Sequence, residues 1–458
     1  MHTTEAPPSA RLQELDRLHH LHPFVDPQAV EEKGTRVIVG AQGSHLVDAD
    51  GRRILDAMAG LWCVNIGYGR TELAEAARRQ MEELPYYNTF FRSATVPVIE
   101  LAEVLAELTP GTLGHAFFSN SGSEANDTVV RLVRRYWDIL ERPTKKTFIS
   151  RTYAYHGSTM AAASLGGMAN MHAVGDLPLP GFEHVMPPYW FEFGLPDETP
   201  EDTAARAARA IEEKILELGP ENVAAFIGEP VIGAGGVVVP PDNYWPEVQR
   251  ICREREVLLV CDEVITGFGR TGEWFGAETM GIEADIMPMA KGLSSGYLPI
   301  SAVLMTDEVF DVLSRGGVIP HGYTYSGHPV AAAVALENIR LMREEGLVER
   351  VRDDVGPYFQ SRLRELVSHP LVGEARGIGL VGALELSPDP ESRALFDPVG
   401  QVGAICHEHC YEEGVIVRAM RDVMGASPPL CITRDEIDEL FDAVERGLDR
   451  TARELALR

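Results

Sequence analysis

Between residues 70 and 330, short apolar runs alternate with longer segments of helical period. The runs Ala116-Phe-Phe-Ser, Lys146-Thr-Phe-Ile-Ser, Val223-Ala-Ala-Phe-Ile-Gly, Val257-Leu-Leu-Val-Cys, Ala284-Asp-Ile-Met-Pro-Met-Ala and Ile300-Ser-Ala-Val-Leu-Met are apolar on both sides of the chain. They therefore read as strands buried on both faces. Helical spacing covers 121–140, 203–218 and 243–256, with Gly219-Pro220 as a stop signal. The strand–helix–strand rhythm predicts an α/β large domain over 70–330, a mostly parallel sheet covered by helices.

The flanks are patterned differently. A short amphipathic helix over 10–20 precedes a hairpin, Thr35–Gly40 with Ser44–Asp48, turning at Asp48-Ala-Asp-Gly51 into Arg53–Asp56. Segments 72–84 and 97–108 read as helices. After His328-Pro329 come helices over 330–345, 347–367, 399–413 and 435–455. Strands are expected at 377–386, 414–418 and 431–433. This predicts a smaller α+β domain over 331–458, which the N-terminal segment 1–69 joins. The proline-rich stretch 178–200 reads as a long surface excursion.

A chain of 458 residues is too long for one ordinary core, consistent with two domains. The formal charge of -28 argues against nucleic acid and against anionic membrane surfaces as partners. The N-terminus lacks a basic segment followed by an apolar one, so no signal peptide is read. No apolar run reaches the roughly 18 residues of a membrane span. A cytoplasmic location is expected, in which the six cysteines stay reduced. Cys406-His-Glu-His-Cys410 resembles a metal cluster, but it falls in a helical pattern that places both cysteines on one packed face. His19-His20-Leu-His22 reads as a helix end. No metal is expected.

Two buried runs end in charged residues: Val257–Cys261 in Asp262-Glu263, and Ala284–Ala290 in Lys291-Gly292. In open α/β sheets the carboxyl ends of strands face the ligand crevice. A third strand leads into Ser119-Asn-Ser-Gly-Ser-Glu-Ala-Asn126, where Ser121, Gly122 and Ser123 open a helix and offer N–H groups to an anion. Pyridoxal phosphate needs this combination: a lysine amine, a carboxylate for the pyridine nitrogen, a helix start for the phosphate and an aromatic face. Lys291, Asp262, residues 121–123 and Tyr155 supply them. A lysine in an apolar, cationic site is depressed in pKa and becomes a usable nucleophile and base.

In chain order, Ser119–Asn126, Tyr155-His-Gly-Ser, Gly228-Glu-Pro, Leu259-Val-Cys-Asp-Glu-Val-Ile-Thr-Gly-Phe-Gly-Arg-Thr-Gly and Ala290-Lys-Gly resemble the class III (omega) aminotransferases of the fold-type I pyridoxal phosphate enzymes. The resemblance implies a homodimer, or a tetramer of such pairs, with sites at the subunit interface. It gives Lys291 the covalent link to the cofactor and Asp262 the pyridine nitrogen. Tyr155 and Val264 take the two ring faces. Ser121, Gly122 and Ser123 bind phosphate, joined by Thr324 of the partner. His156 and Glu229 complete the cofactor set.

Departures from the family pattern narrow the branch. Ser158 stands where the ornithine and γ-aminobutyrate enzymes carry an arginine, and Ala234 where they carry a glutamate. A second fixed carboxylate clamp is thus missing, which disfavours 2-oxoglutarate as acceptor. Asp56–Gly69, His20-Leu-His-Pro-Phe and Gly414-Val-Ile-Val-Arg-Ala-Met-Arg-Asp look like the amine:pyruvate branch. Arg418 then matches an arginine that meets a carboxylate and withdraws for an uncharged amine. Phe24, Trp62 and Phe91 are expected to line the amine pocket together with Tyr155. The implied reaction moves an amino group from a diamine, β-amino acid, taurine or aryl or alkyl amine to pyruvate. Rival readings inside the fold are a decarboxylase, racemase or aminomutase. A cofactor-binding protein without turnover is the rival from another class.

Overall fold

The computed structural model describes residues 9–456. The first eight residues, part of the stretch read for a signal peptide, lie outside them. Three strands form an antiparallel meander near the start: β1 (Ile38–Gln42), β2 (His45–Asp48) and β3 (Arg53–Asp56). The central sheet has seven strands, β4 (His115–Ser119), β5 (Thr147–Arg151), β6 (Phe182–Val185), β7 (Val223–Gly228), β8 (Leu258–Cys261), β9 (Ile286–Met289) and β10 (Ser301–Met305). Their order is β4-β10-β9-β8-β7-β5-β6. All run the same way except β10, which is antiparallel to both neighbours.

Successive side chains leave opposite faces of each strand, which explains the continuous apolar runs. Leu259, Cys261, Met287, Met289, Ala302 and Leu304 enter one core. Their neighbours Leu258, Val260, Ile286, Val303 and Met305 enter another, beneath the helix Gly122–Ile139. Helices Pro200–Leu218 and Tyr244–Glu254 cover the first face. The helix Pro200–Leu218 starts at a capping box in which Thr199 and Asp202 bond each other's backbone N–H groups.

The C-terminal region departs from the expected elements in four ways. Residues 377–386 belong to a hairpin, β11 (Val372–Ile378) and β12 (Val381–Leu386), because Gly379-Leu380 turns the chain inside one apolar run. The apolar run 414–418 is split between two sheets. Its first part, β13 (Val415–Ile416), pairs in parallel with β3, and its last residue opens β14 (Arg418–Met420). No strand forms at 431–433. The strand partner of β12 and β14 is instead β15 (Val423–Ala426), whose methionine, glycine and alanine make a weak strand pattern. The helical stretch 347–367 passes through a π turn at Val351–Val355.

The stretch 178–200 is not a surface excursion. It contains the edge strand β6 and buries Tyr189 and Phe191 with Ile232 and Val238. Its prolines punctuate the chain without keeping it in solvent. The N-terminal histidines close a helix end: His20 Nδ1 and His22 Nε2 lie 2.9 and 2.6 Å from the two oxygens of Asp16.

Arg270, in the loop after β8, crosses to the C-terminal region. Its guanidinium, fully buried, donates to the carbonyls of Leu380 and Pro428 and, at 3.0 Å, to Asn65 Oδ1. Arg270→Ala strands three buried acceptors, each costing about 1–3 kcal/mol. The expected outcome is a loss of about 3 kcal/mol or more in urea unfolding, with Arg270→Lys recovering only part of it.

Candidate active site

Five parallel strands end at one edge of the sheet, and each delivers a residue there. β4 runs into the helix that starts at Gly122. β5 leads to Tyr155 and His156, β7 to Glu229, β8 to Asp262 and β9 to Lys291. Gly122, Ser123, Tyr155, His156, Gly157, Glu229, Asp262, Val264, Ile265 and Lys291 line one cavity of about 100 Å³. A larger groove, about 850 Å³, lies between the helices 71–83, 96–108 and 329–344. Arg340 on its wall is paired with Glu337 and Glu344, so it lacks the converging reactive groups of the smaller site.

Two glycines allow the close packing. A Cβ on Gly122 would stand 2.9 Å from Val264 Cγ1. Gly157, at φ +135°, passes Ser123 so closely that a Cβ would meet its Oγ at 2.6 Å. Ser123 Oγ accepts the Ser158 N–H at 3.0 Å, which ties the helix start to the Tyr155 loop. Ser121 Oγ accepts from Glu124 N–H at 3.2 Å and serves as the N-cap.

Asp262 is buried and bonded on both oxygens. Oδ2 accepts from Asn126 Nδ2 at 2.9 Å and lies 2.7 Å from His156 Nδ1, while Oδ1 accepts from Val264 N–H at 3.0 Å. Asn126 was not singled out in the sequence. It lies one turn inside the helix, and only the assembled sheet reveals its partner. Glu229 Oε1 accepts the Tyr155 N–H at 3.5 Å, its Oε2 has no hydrogen-bond partner, and Arg151 stands 3.7 Å away. Burial pushes the Glu229 carboxyl up to about 6.

Lys291 has a left-handed backbone, φ 46°, as does Trp62 at φ 57°. Lys291 Nζ lies 5.6 Å from the Trp62 ring centroid, and Arg418 Cζ lies 4.9 Å from the same ring. Trp62 is buried among Met58, Val231, Ala234, Ile265 and Met420. Burial pushes the Lys291 amine from 10.5 down to about 8; Asp262 opposes the shift and Arg418 adds to it. Burial also lowers the Arg418 guanidinium. Ser158 Oγ sits 3.1 Å from the Tyr155 hydroxyl, and Ala234 is buried beside Trp62.

The remaining expected residues do not reach this cavity within one protomer. Thr324 is exposed, and its carbonyl accepts from Tyr86 Oη at 2.6 Å. Phe24 and Phe91 are 76% and 93% exposed.

The depressed amine gives a direct test in the cofactor-free protein. Only the neutral amine acylates, so Lys291 modification should rise with a midpoint near pH 8. Asp262 raises the Lys291 pKa, so Asp262→Asn should move that midpoint lower. Peptide mass mapping across a pH series reads both.

The Aminotransferase class-III family profile matches residues 28–448. A putrescine–pyruvate aminotransferase of Pseudomonas aeruginosa is 54% identical over 440 residues, 96% of each chain. A diaminobutyrate–2-oxoglutarate transaminase of Halomonas elongata is 43% identical, over 91% of this chain and 90% of its own. The omega transaminase of Pseudomonas jessenii, solved in complex with PMP, superposes with a TM-score of 0.95 at 44% identity, covering 97% of this chain and 99% of that one. The chain belongs to the class-III aminotransferases.

Proposed function

We propose that the protein is an omega-transaminase that moves an amino group from a primary amine to pyruvate, leaving an aldehyde or ketone and alanine. The observation that carries this reading is the pair Lys291 and Arg418 on one buried indole, Trp62. A diamine is the favoured donor class, since the relative that is 54% identical is named for putrescine and pyruvate.

Class-III aminotransferases use pyridoxal phosphate, which when bound supplies an electron sink for the carbon that carries the amino group. The cavity fits that group. Asp262, fixed by His156 and Asn126, presents a carboxylate to a pyridine nitrogen. Gly122 and Ser123 present the start of an 18-residue helix to a phosphate. Tyr155 and Val264 both line the cavity and would clamp a ring. The neutral form of Lys291, reached near pH 8, is the nucleophile and the base that moves the proton at the substrate carbon. Arg418 pairs with the pyruvate carboxylate and withdraws when the donor carries none. Trp62 supports the guanidinium and walls the amine side.

The active form is proposed to be a cytoplasmic homodimer. No helix among the described residues is long and apolar enough to cross a membrane. Exposure of Thr324, Phe24 and Phe91 in one protomer supports their action across a subunit interface. Residues 70–330 would form the cofactor domain, and 331–458 with 1–69 the smaller one.

Lys291→Ala should abolish transamination and the visible absorbance of the holoenzyme; turnover by this variant would refute the assignment. Arg418→Ala should reduce kcat/KM for pyruvate by about 1.5–3 kcal/mol, the worth of a hydrogen bond to a charged group, and spare an uncharged amine. Equal losses on both would exclude the carboxylate role. A donor panel scored for alanine, carbon dioxide and amine isomers separates transamination from decarboxylation and mutase chemistry.

A further inference from the structure

Glu192, Tyr153 and Arg421 form a charged knot beside the pocket without lining it. Arg421 Nη1 donates to Glu192 Oε2 at 2.6 Å and to Tyr153 Oη at 3.1 Å. The Tyr153 hydroxyl donates to Glu192 Oε1 at 2.5 Å. Arg421 Cζ lies 4.2 Å from the Tyr153 ring centroid, and Phe193 packs edge-on to that ring at 5.9 Å. Each member comes from a different part of the chain: the loop after β5, the buried stretch after β6, and the turn between β14 and β15.

Two of the three are conformationally strained. Tyr153 has φ 67° and Arg421 has φ 59°. Bulky residues keep such backbone only where their surroundings over-determine it. Met420 pairs with Val423, so Arg421-Asp422 is a two-residue hairpin turn, a position where glycine, asparagine or aspartate is preferred. The side-chain contacts of Arg421 explain an arginine there. Asp422 fixes the other half of the turn by accepting from the N–H groups of Gly400 and Gly403 at 2.6 and 2.8 Å.

The knot joins two elements of the pocket. Arg418 lies on β14, three residues before Arg421, and its strand neighbour on the same face, Met420, packs with Trp62. Tyr155 lies two residues after Tyr153. A shift of the turn therefore moves Arg418 relative to both Trp62 and Tyr155.

We propose that Arg421, clamped by Glu192 and Tyr153, is a specificity-determining positioning residue that sets the reach of Arg418 toward carboxylate-bearing substrates. The inference rests on the carboxylate-binding role proposed for Arg418. Arg421 touches no substrate itself. Loosening the clamp costs recognition of the carboxylate and leaves the chemistry at Lys291 intact.

The test uses holoenzyme carrying Arg421→Ala or Glu192→Gln, with Arg421→Lys as the conservative control. Each is assayed with pyruvate and with propanal as acceptor. Independently of turnover, the visible band is followed as aminooxyacetate, which bears a carboxylate, or methoxyamine, which does not, reacts with the holoenzyme. KM for pyruvate and the aminooxyacetate rate should each worsen by about tenfold to a hundredfold, the cost of an ångström-scale misplacement. The propanal and methoxyamine rates should stay within about twofold, and Arg421→Lys should recover most of the loss. Equal losses with charged and uncharged probes, or no loss with either, would overturn the proposal. A wild type that ignores pyruvate yet prefers aminooxyacetate to methoxyamine would overturn the acceptor assignment alone, and the alkoxyamine ratio would still judge the clamp.

Discussion

Asp262 stands at the end of a strand buried on both faces, and a carboxylate in that place has to be bonded or its burial is costly. The donors come from three directions: Asn126 on the helix after β4, His156 on the loop after β5, and the N–H of Val264 in its own turn. The bonds from Asn126 and His156 form only when β4, β5 and β8 are correctly ordered in one sheet. The same assembly brings Lys291 from β9 and Glu229 from β7 to that edge. The requirement to satisfy one buried charge and the convergence of the cavity are therefore a single structural condition. Glu229 shows the alternative outcome. Its second oxygen lacks a hydrogen-bond partner among the described residues, and burial raises its pKa to about 6.

The substrate side works on the opposite principle. Trp62 packs in a cluster with Met58, Val231, Ala234, Ile265 and Met420, and the charges that reach the indole among the described residues are Lys291 and Arg418. Burial depresses both. A cation that is poorly solvated gains more from an arriving carboxylate than one already in water. The same burial makes Lys291 available as a neutral base. On the proposed reading, one apolar pocket would prepare the amine for chemistry and the guanidinium for an anionic partner.

What could be read from the sequence divides along the same line. Asp262 and Lys291 were legible because the end of an apolar run is a local signal. Gly122 and Ser123 were legible because a helix start has its own chemistry. Six of the seven strands of the central sheet were legible because double-sided burial leaves continuous apolar runs; the edge strand β6 was not. Asn126 was hidden in an ordinary helical turn. The hairpin Val372–Leu386 read as part of one strand, since an apolar run does not announce a two-residue turn within it. The split of 414–418 between two sheets depends on β3, more than 350 residues earlier by the pairing of Val415 with Leu55. The stretch 178–200 looked external because its prolines dominate the pattern, yet its aromatics are what bury it.

These failures are concentrated where substrate selection is expected. The groups that would hold a cofactor follow strand ends, each within a few residues of a local signal. The groups that orient Arg418 belong to segments with weak or misleading local patterns: a proline-rich stretch carrying Glu192, a strained loop residue Tyr153, and a hairpin turn at Arg421. Their contacts span up to 268 residues of sequence. Asp262, His156 and Asn126 make none of those contacts. Relatives 54% and 43% identical to this chain carry names that differ in both amine and acceptor. A fold in which the cofactor site is locally encoded and the substrate cation is positioned by remote contacts can diverge in this way, since the second set of residues drifts without endangering the first.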